Sequence, residues 1–282
     1  MTEPTPSPPP DAAPVSPPEP TPLPPPDAAP VPPPERAPVP PPDAAPSPPA
    51  ARAAAPAPAP PAPMPPSRGE LLAYGFVRAL VAGLSRLLWR ITIVHPERVP
   101  AGGACVLAPS HRSLLDTPFL ACVTRRRIRF MGKAEMWKYG WSAKFFSTLG
   151  GFPVDRGGPD RAAMRAAEAA LAGGEPLGMF PEGTRRSGPV VEDLHHGVAF
   201  VAARMGVPIV PIGIGGSEHI LARGRRLPKL SRVVVVVGEP IQPPARAPGA
   251  SVRRGDVAAL TEQLREAVQH LFDEAEAAAL AR

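Results

Sequence analysis

Apolar positions fall into two regimes along the chain. From Gly69 to Ile91 they are dense and free of proline, and arginine enters only at positions 78, 86 and 90. At about 100° per residue the three arginines fall within roughly 120° of one another, which predicts a helix with a single cationic stripe. With Trp89 near its end, such a helix suits a bilayer interface, apolar face down and arginines at lipid phosphates. A core helix with a solvated arginine face has the same pattern. Residues 67–91 are read here as a membrane-interface helix. No run of 18 uncharged apolar residues occurs, so no membrane span is predicted.

Beyond Ile91 short apolar runs alternate with helical stretches. Strands are predicted at 91–95, 104–108, 128–131, 151–155, 177–180, 208–213 and 233–238, and helices at 114–123, 141–148, 159–172, 196–205 and 256–280. Val233 to Val237 are five valines in succession, the pattern of a strand buried on both faces. The helix at 159–172 has Asp160 in its first turn and Gly173-Gly174 as its stop. Strands alternating with helices predict an α/β fold, a three-layer domain with a mostly parallel central sheet. In such domains ligands gather at the carboxyl ends of the strands.

The first 66 residues obey neither regime. Thirty-one of them are proline, and Pro-Pro-Pro-Asp-Ala-Ala-Pro recurs with a 16-residue period at 8–14, 24–30 and 40–46. Proline lacks the backbone donor and fixes φ, so residues 1–66 are expected to be a disordered tail of polyproline II character. Fully extended, the tail would reach about 200 Å, at about 3.1 Å per residue. Its partner, if it has one, is not written in the repeat; a spacer and a ligand for a proline-binding module share this composition. Residues 67–282 form the predicted folded domain, long enough for one sizeable core.

Charge divides along the same boundary. The tail holds six acids and two arginines, which leaves 29 basic and 19 acidic residues for the domain, a net charge of +10. Such a surface is drawn to anionic partners, whether nucleic acid, acidic lipid or phosphorylated substrate. Cys105 and Cys122 lie in apolar runs without CxxC spacing and read as buried free thiols in a reducing compartment. The N-terminus has neither the basic start nor the apolar core of a signal peptide.

Four segments carry candidate chemistry. Ser110-His111-Arg112-Ser113-Leu114-Leu115-Asp116 follows a predicted strand and opens a predicted helix. Asp116 on the first turn can fold back to the imidazole Nδ1–H, fixing the tautomer and freeing Nε2 to take a proton. Gly151-Phe152-Pro153-Val154-Asp155-Arg156 is a short strand ending on arginine, and Phe180-Pro181-Glu182-Gly183-Thr184-Arg185 is a sharp turn directly after another strand. Arginines at two strand ends offer a bidentate grip on phosphate. Val207-Pro208-Ile209-Val210-Pro211-Ile212 is a strand entered through proline.

In this order the four segments resemble the lysophospholipid acyltransferase family, which includes the 1-acylglycerol-3-phosphate acyltransferases. The family pattern is His-x4-Asp, Gly-x4-Arg, Phe-Pro-Glu-Gly-Thr-Arg and Val-Pro-Ile-x-Pro, matched over about residues 85 to 240. The resemblance implies that His111 and Asp116 are catalytic. It implies that Arg156, Glu182, Gly183, Thr184 and Arg185 bind the acceptor's phosphate, with Ser113, Lys133 and Gly151 as supporting residues. Ser110 departs from the asparagine of many members and bears on how the loop is held. The implied reaction moves a fatty acyl group from acyl-CoA or acyl carrier protein to a hydroxyl of a lysophospholipid. The expected acceptor is 1-acyl-sn-glycerol 3-phosphate and the product phosphatidic acid, for phospholipid biosynthesis; another lysophospholipid or a glycolipid is the alternative. No metal or other cofactor is needed, because a thiolate leaves readily. The expected location is peripheral, on the cytoplasmic face of an anionic membrane. Backbone N–H groups near a helix start are the expected oxyanion donors.

Softer features surround these. Trp137, Lys138, Tyr139, Trp141, Lys144, Phe145 and Phe146 mix aromatics with lysines, which suits an interface belt as well as a core. His195-His196 lacks zinc-ligand spacing. Arg223, Arg225, Arg226 and Lys229 form a basic stretch suited to lipid, carrier protein or coenzyme A phosphates. A hydrolase would want a G-x-S-x-G elbow, which is missing. A nucleic-acid binder would want a recognition motif, and the arginines sit instead at predicted strand ends, so nucleic acid is not an expected partner.

Overall fold

The computed structural model of the chain describes residues 67–154, 161–218, 220, 229–246 and 250–281. The proline-rich repeat, Asp160, Arg156 and the basic residues Arg223, Arg225 and Arg226 lie outside the described residues.

Seven strands form one sheet: β1 (Thr92–Val94), β2 (Cys105–Pro109), β3 (Arg129–Lys133), β4 (Gly151–Val154), β5 (Pro176–Gly178), β6 (Ile209–Gly215) and β7 (Val234–Val237). Their order is β1-β7-β6-β2-β5-β3-β4. Every neighbouring pair is parallel except β6 and β7, which run antiparallel with Ile212 opposite Val237. The predicted α/β architecture is therefore present, with one inverted pairing. Among the described elements no helix lies between β6 and β7, whereas a parallel pairing takes a long crossover, usually helical.

Helices cover both faces. Alternation along β2 sends Cys105 and Leu107 to one face and Val106 and Ala108 to the other. The first face meets α1 (Arg68–Trp89) and α2 (Asp116–Leu120) through Ala82, Trp89, Phe119 and Leu120. The second meets α4 (Arg161–Ala172), α5 (Gly197–Met205) and α6 (Arg254–Leu280) through Ala167, Leu171, Val198, Ala202, Leu264 and Phe272. The valine run is covered on both sides, since Val235 and Val237 face α1 while Val234 and Val236 face Leu271 and Ala275 of α6. The Val-Pro-Ile-x-Pro segment becomes β6, buried throughout. Two glycines in that strand, Gly213 and Gly215, let the α6 backbone lie directly on the sheet. A Cβ at either would collide with main-chain atoms of Leu271 or Ala275.

Helix α1 begins with a capping box, Ser67 Oγ accepting the Glu70 N–H and the Glu70 carboxylate accepting the Ser67 N–H. Tyr74, Ala82, Ser85 and Trp89 turn inward. Arg78 sits amid them and donates its Nε–H to the Thr124 carbonyl at 2.6 Å. This corrects the expectation of a lipid-facing arginine for Arg78, which serves the domain because its carbonyl partner lies on the side the helix buries; Arg86 and Arg90 are exposed. The outward stripe is apolar instead, with Leu72, Phe76 and Leu87 each more than 70% exposed. By length and composition α1 is long enough and apolar enough to cross a membrane, although about one sixth of the relevant window is buried against the domain. A count of uninterrupted uncharged residues misses this because Arg78 and Arg86 break the run.

Beside α1 lies α3 (Gly140–Thr148). A shallow, predominantly apolar groove of about 320 Å³ runs between them, lined by Val77, Trp141, Lys144, Phe145, Thr148 and Leu149. Tyr139, Trp141 and Phe145 are exposed, whereas Trp137 is tied through its indole N–H to Ser147.

Candidate active site

Strands β2 and β5 are neighbours at the centre of the sheet, and each ends in a candidate segment. After β2 the chain passes through Ser110, buried, whose Oγ accepts the Ile214 N–H of β6 at 3.0 Å. Serine thus still ties the loop to the next strand. His111 follows, and Asp116 opens α2. The His111 Nδ1 stands 3.1 Å from Asp116 Oδ2. A carboxylate only accepts, so Nδ1 carries the proton and Nε2 is left as the basic nitrogen. The imidazole stacks on the Phe180 ring, centroids 4.0 Å apart, and its side chain is 16% exposed. A base at the carboxyl edge that is mostly covered yet reachable is what proton abstraction from a bound hydroxyl requires.

Asp116 does more than face the imidazole. The same Oδ2 accepts the N–H groups of Arg112 at 2.7 Å and Ser113 at 2.6 Å. The loop is wrapped around one carboxylate oxygen, so His111 has little freedom to swing away. The Arg112 and Ser113 amides that lead toward α2 are thus engaged with Asp116 and are not free to serve as oxyanion donors. Ser113 supports the site through this amide, and its hydroxyl accepts the Leu115 N–H at 3.4 Å.

The turn after β5 supplies the second wall. Gly183 has φ +67°, a left-handed conformation that a side chain would strain, and a Cβ there would meet the His195 ring at 2.5 Å. Thr184 and Arg185 beyond it are exposed at the same edge of the sheet. Glu182 is different. It is fully buried, with Oε2 2.6 Å from Arg112 Nη1 and Oε1 accepting the His111 backbone N–H at 2.8 Å. The expectation that Glu182 contacts the acceptor's phosphate is therefore corrected. A carboxylate repels phosphate, and this one is sequestered with a guanidinium to hold the base's main chain.

The remaining candidates are scattered. Lys133 closes β3 at the carboxyl edge. Gly151 begins β4 two strands from β5, level through Phe130 with Gly178 at the end of β5, and a Cβ there would crowd the Phe146 carbonyl and the Trp137 ring. Arg156 belongs to the residues that are not described. His196 points its Nδ1 at Thr261 Oγ of α6, 3.0 Å away. Lys229 takes the Trp89 indole N–H on its carbonyl. Sequence reasoning missed Arg112, a variable position inside His-x4-Asp. A lone arginine between serines reads as solvated, and nothing in its neighbours signals the buried glutamate 70 positions later.

A family model described as Acyltransferase matches residues 90–215. The chain is 29% identical over 182 residues to the 1-acyl-sn-glycerol-3-phosphate acyltransferase of Bacillus subtilis (strain 168), which covers 64% of this chain and 87% of that one. It is 28% identical over 168 residues to a probable 1-acyl-sn-glycerol-3-phosphate acyltransferase of Mycoplasma pneumoniae, covering 55% of this chain and 62% of the relative. Among solved structures it resembles the 1-acyl-sn-glycerophosphate acyltransferase PlsC from Thermotoga maritima, with TM-score 0.56 and 24% identity over 73% of this chain and 83% of that one. At that identity the likeness speaks to the fold alone. The four ordered segments all lie inside the matched stretch, so residues 90–215 carry an acyltransferase domain, similar in sequence to these bacterial 1-acyl-sn-glycerol-3-phosphate acyltransferases.

Proposed function

We propose that the chain transfers a fatty acyl group from an acyl thioester, of coenzyme A or acyl carrier protein, to the free hydroxyl of 1-acyl-sn-glycerol 3-phosphate, giving phosphatidic acid at a membrane surface. The observation that carries this reading is the His111–Asp116 pair, 3.1 Å apart at the end of a central strand, with Nε2 as the remaining basic nitrogen. His111 takes the hydroxyl proton as the oxygen attacks the thioester carbonyl, and Asp116 holds the imidazolium that forms. The tetrahedral adduct then collapses, the carbon–sulfur bond breaks, and the proton passes from His111 to the departing thiolate. Exposed Thr184 and Arg185 on the adjacent turn are the groups assigned to the acceptor's phosphate, with Arg156. Holding the acceptor there brings its hydroxyl to the base, and proximity is the larger part of the acceleration. Acylation of 1-acyl-sn-glycerol 3-phosphate is also the activity printed in the names of the bacterial relatives.

The outward apolar stripe of α1, with Trp141 and Phe145 of α3, supports a peripheral placement in which the enzyme lies on the bilayer that contains its acceptor. We assign that surface to the cytoplasmic leaflet, whose anionic lipids suit the basic domain.

The test incubates purified full-length protein with labelled acyl-CoA or acyl carrier protein and a panel of lysolipids, neutral alcohols and glycolipids. Acylated 1-acyl-sn-glycerol 3-phosphate is the expected product. His111→Ala should lower turnover at least about a hundredfold. Arg185→Ala should weaken phosphate-bearing acceptors selectively; equal loss with neutral alcohols would remove the phosphate assignment. Free fatty acid as the sole product would make the chain a thioesterase.

A further inference from the structure

Helix α6 lies beyond the residues 90–215 that the family model matches, yet it reaches the catalytic loop. The link is Arg112, whose side chain is fully buried. Its Nη1–H groups go to Glu182 Oε2 at 2.6 Å and the His111 carbonyl at 3.3 Å. Nε–H goes to the Gly188 carbonyl at 3.2 Å and Nη2–H to the Val190 carbonyl at 3.1 Å. The face of the guanidinium lies 4.7 Å from the centroid of the Phe272 ring of α6. One planar cation thus joins the base's own loop, the Glu182 turn, the 188–190 segment and the C-terminal helix.

A second contact reaches the same segment from the same helix. Gln269, one turn before Phe272, accepts the Val191 N–H at 2.7 Å and donates to the Pro189 carbonyl at 2.9 Å. Glu276, one turn after Phe272, accepts the Gly216 N–H at the end of β6 at 2.8 Å. Gly213 and Gly215 seat this stretch of helix on the sheet, as described above. The chain of contacts to the base is short. Phe272 backs Arg112, Arg112 holds Glu182, and Glu182 holds the His111 amide. In parallel, Arg186 N–H donates to the His111 carbonyl at 2.9 Å. Both main-chain polar groups of His111 are therefore held by the 182–186 turn, which Arg112 braces and which leads directly into the 189–191 stretch that Gln269 of α6 binds.

We infer that α6 is part of the catalytic apparatus, with Arg112, Phe272 and Gln269 as positioning residues that set where the His111 imidazole stands. A stacked, forked guanidinium is needed for this. Lysine carries the charge but is a point donor that neither forks nor lies flat on a ring. Small displacements matter, since an error of about 1 Å in a catalytic group can cost on the order of a hundredfold.

The inference rests on His111 being the base, and the experiment separates the two claims. Full-length wild type, His111→Ala, Arg112→Lys, Phe272→Leu and Gln269→Ala are assayed well below their melting temperatures, for kcat, for KM of both substrates and for the pH dependence of kcat/KM. Arg112→Lys and Phe272→Leu should lower kcat roughly ten- to a hundredfold with KM near wild type. The pH dependence of kcat/KM in both should differ from wild type. Phe272→Tyr, which keeps the ring face, should regain most of the loss. Gln269→Ala should reduce kcat less, and it carries the test if Arg112→Lys does not fold. If His111→Ala is inactive while the other three change only the melting temperature, α6 is a structural helix and the inference fails. If His111→Ala retains wild-type turnover, the reading of the base fails first.

Discussion

Asp116 concentrates its acceptor capacity on one oxygen. Oδ2 accepts from His111, Arg112 and Ser113, while buried Oδ1 has no hydrogen-bond partner among the described residues. Asp116→Asn would place an amide oxygen in the Oδ2 position and an NH2 group at the buried Oδ1 position, where the carboxylate makes no hydrogen bond to the described residues, and would leave the imidazolium without its counter-charge. Turnover should fall by about a hundred- to ten-thousandfold. Stability should drop by about 1–3 kcal/mol, read in denaturant titration, because a donor is buried unsatisfied. Turnover within a fewfold of wild type would mean that the carboxylate only shapes the loop. Cys105 gives a second check. Burial pushes its thiol up to about 11, only partly opposed by Arg126. The folded state then holds the proton more tightly than the unfolded one. Its contribution to stability is intact below the unfolded pKa, about 8.5, and is lost as pH rises from there through 11. In the folded protein at pH 8 the thiol should resist a disulfide reagent that labels it at once in denaturant. The pairing of His111 with Asp116 was legible, because five positions from strand end to first helical turn is a local distance. Glu182 was not, because its charge partner lies 70 residues away and only the adjacency of β2 and β5 brings them together.

At the scale of elements, period and punctuation carried most of the information. The predicted strand at 208–213 and helix at 256–280 appear as Ile209–Gly215 and Arg254–Leu280. The valine run is indeed covered from both sides, but its direction against β6 was illegible, since direction depends on what the chain does between strands. The face that α1 buries was misread for a related reason. Helical period groups residues onto one side, and whether an arginine side meets lipid or a carbonyl is decided by the partner, here Thr124. A paired experiment follows from the corrected orientation. Phe76→Glu with Leu80→Glu places two charges on the outward stripe. This should reduce partitioning onto lipid vesicles by more than about tenfold, given about 1.5–3 kcal/mol for each large apolar side chain withdrawn from contact. It should leave the unfolding midpoint nearly unchanged, since surface substitutions stay within about 0.5 kcal/mol. Arg78→Ala should do the reverse, lowering the midpoint and sparing vesicle binding. If Arg78→Ala instead abolished vesicle binding with no loss of stability, that arginine would belong to the lipid face after all.

For the whole molecule, the proposed membrane placement calls on two forces of different range, and they separate experimentally. The domain from residue 67 onward carries +10, and the outward side of α1 carries Leu72, Phe76, Leu80, Leu84 and Leu87. Charge acts across a Debye length of about 10 Å at 0.1 M salt and about 3 Å at 1 M. Apolar contact acts only at touching distance, and salt does not screen it. Binding of the full chain to vesicles containing acidic phospholipid should therefore fall as salt rises from about 0.1 to 1 M and level off at a finite value. That plateau should match the binding to zwitterionic vesicles at any salt, because both then report the apolar stripe alone. Phe76→Glu with Leu80→Glu should lower the plateau while preserving the salt-dependent part. A titration that continues to zero binding at high salt would assign attachment to charge alone and leave the exposed leucines and phenylalanine of α1 without a membrane role.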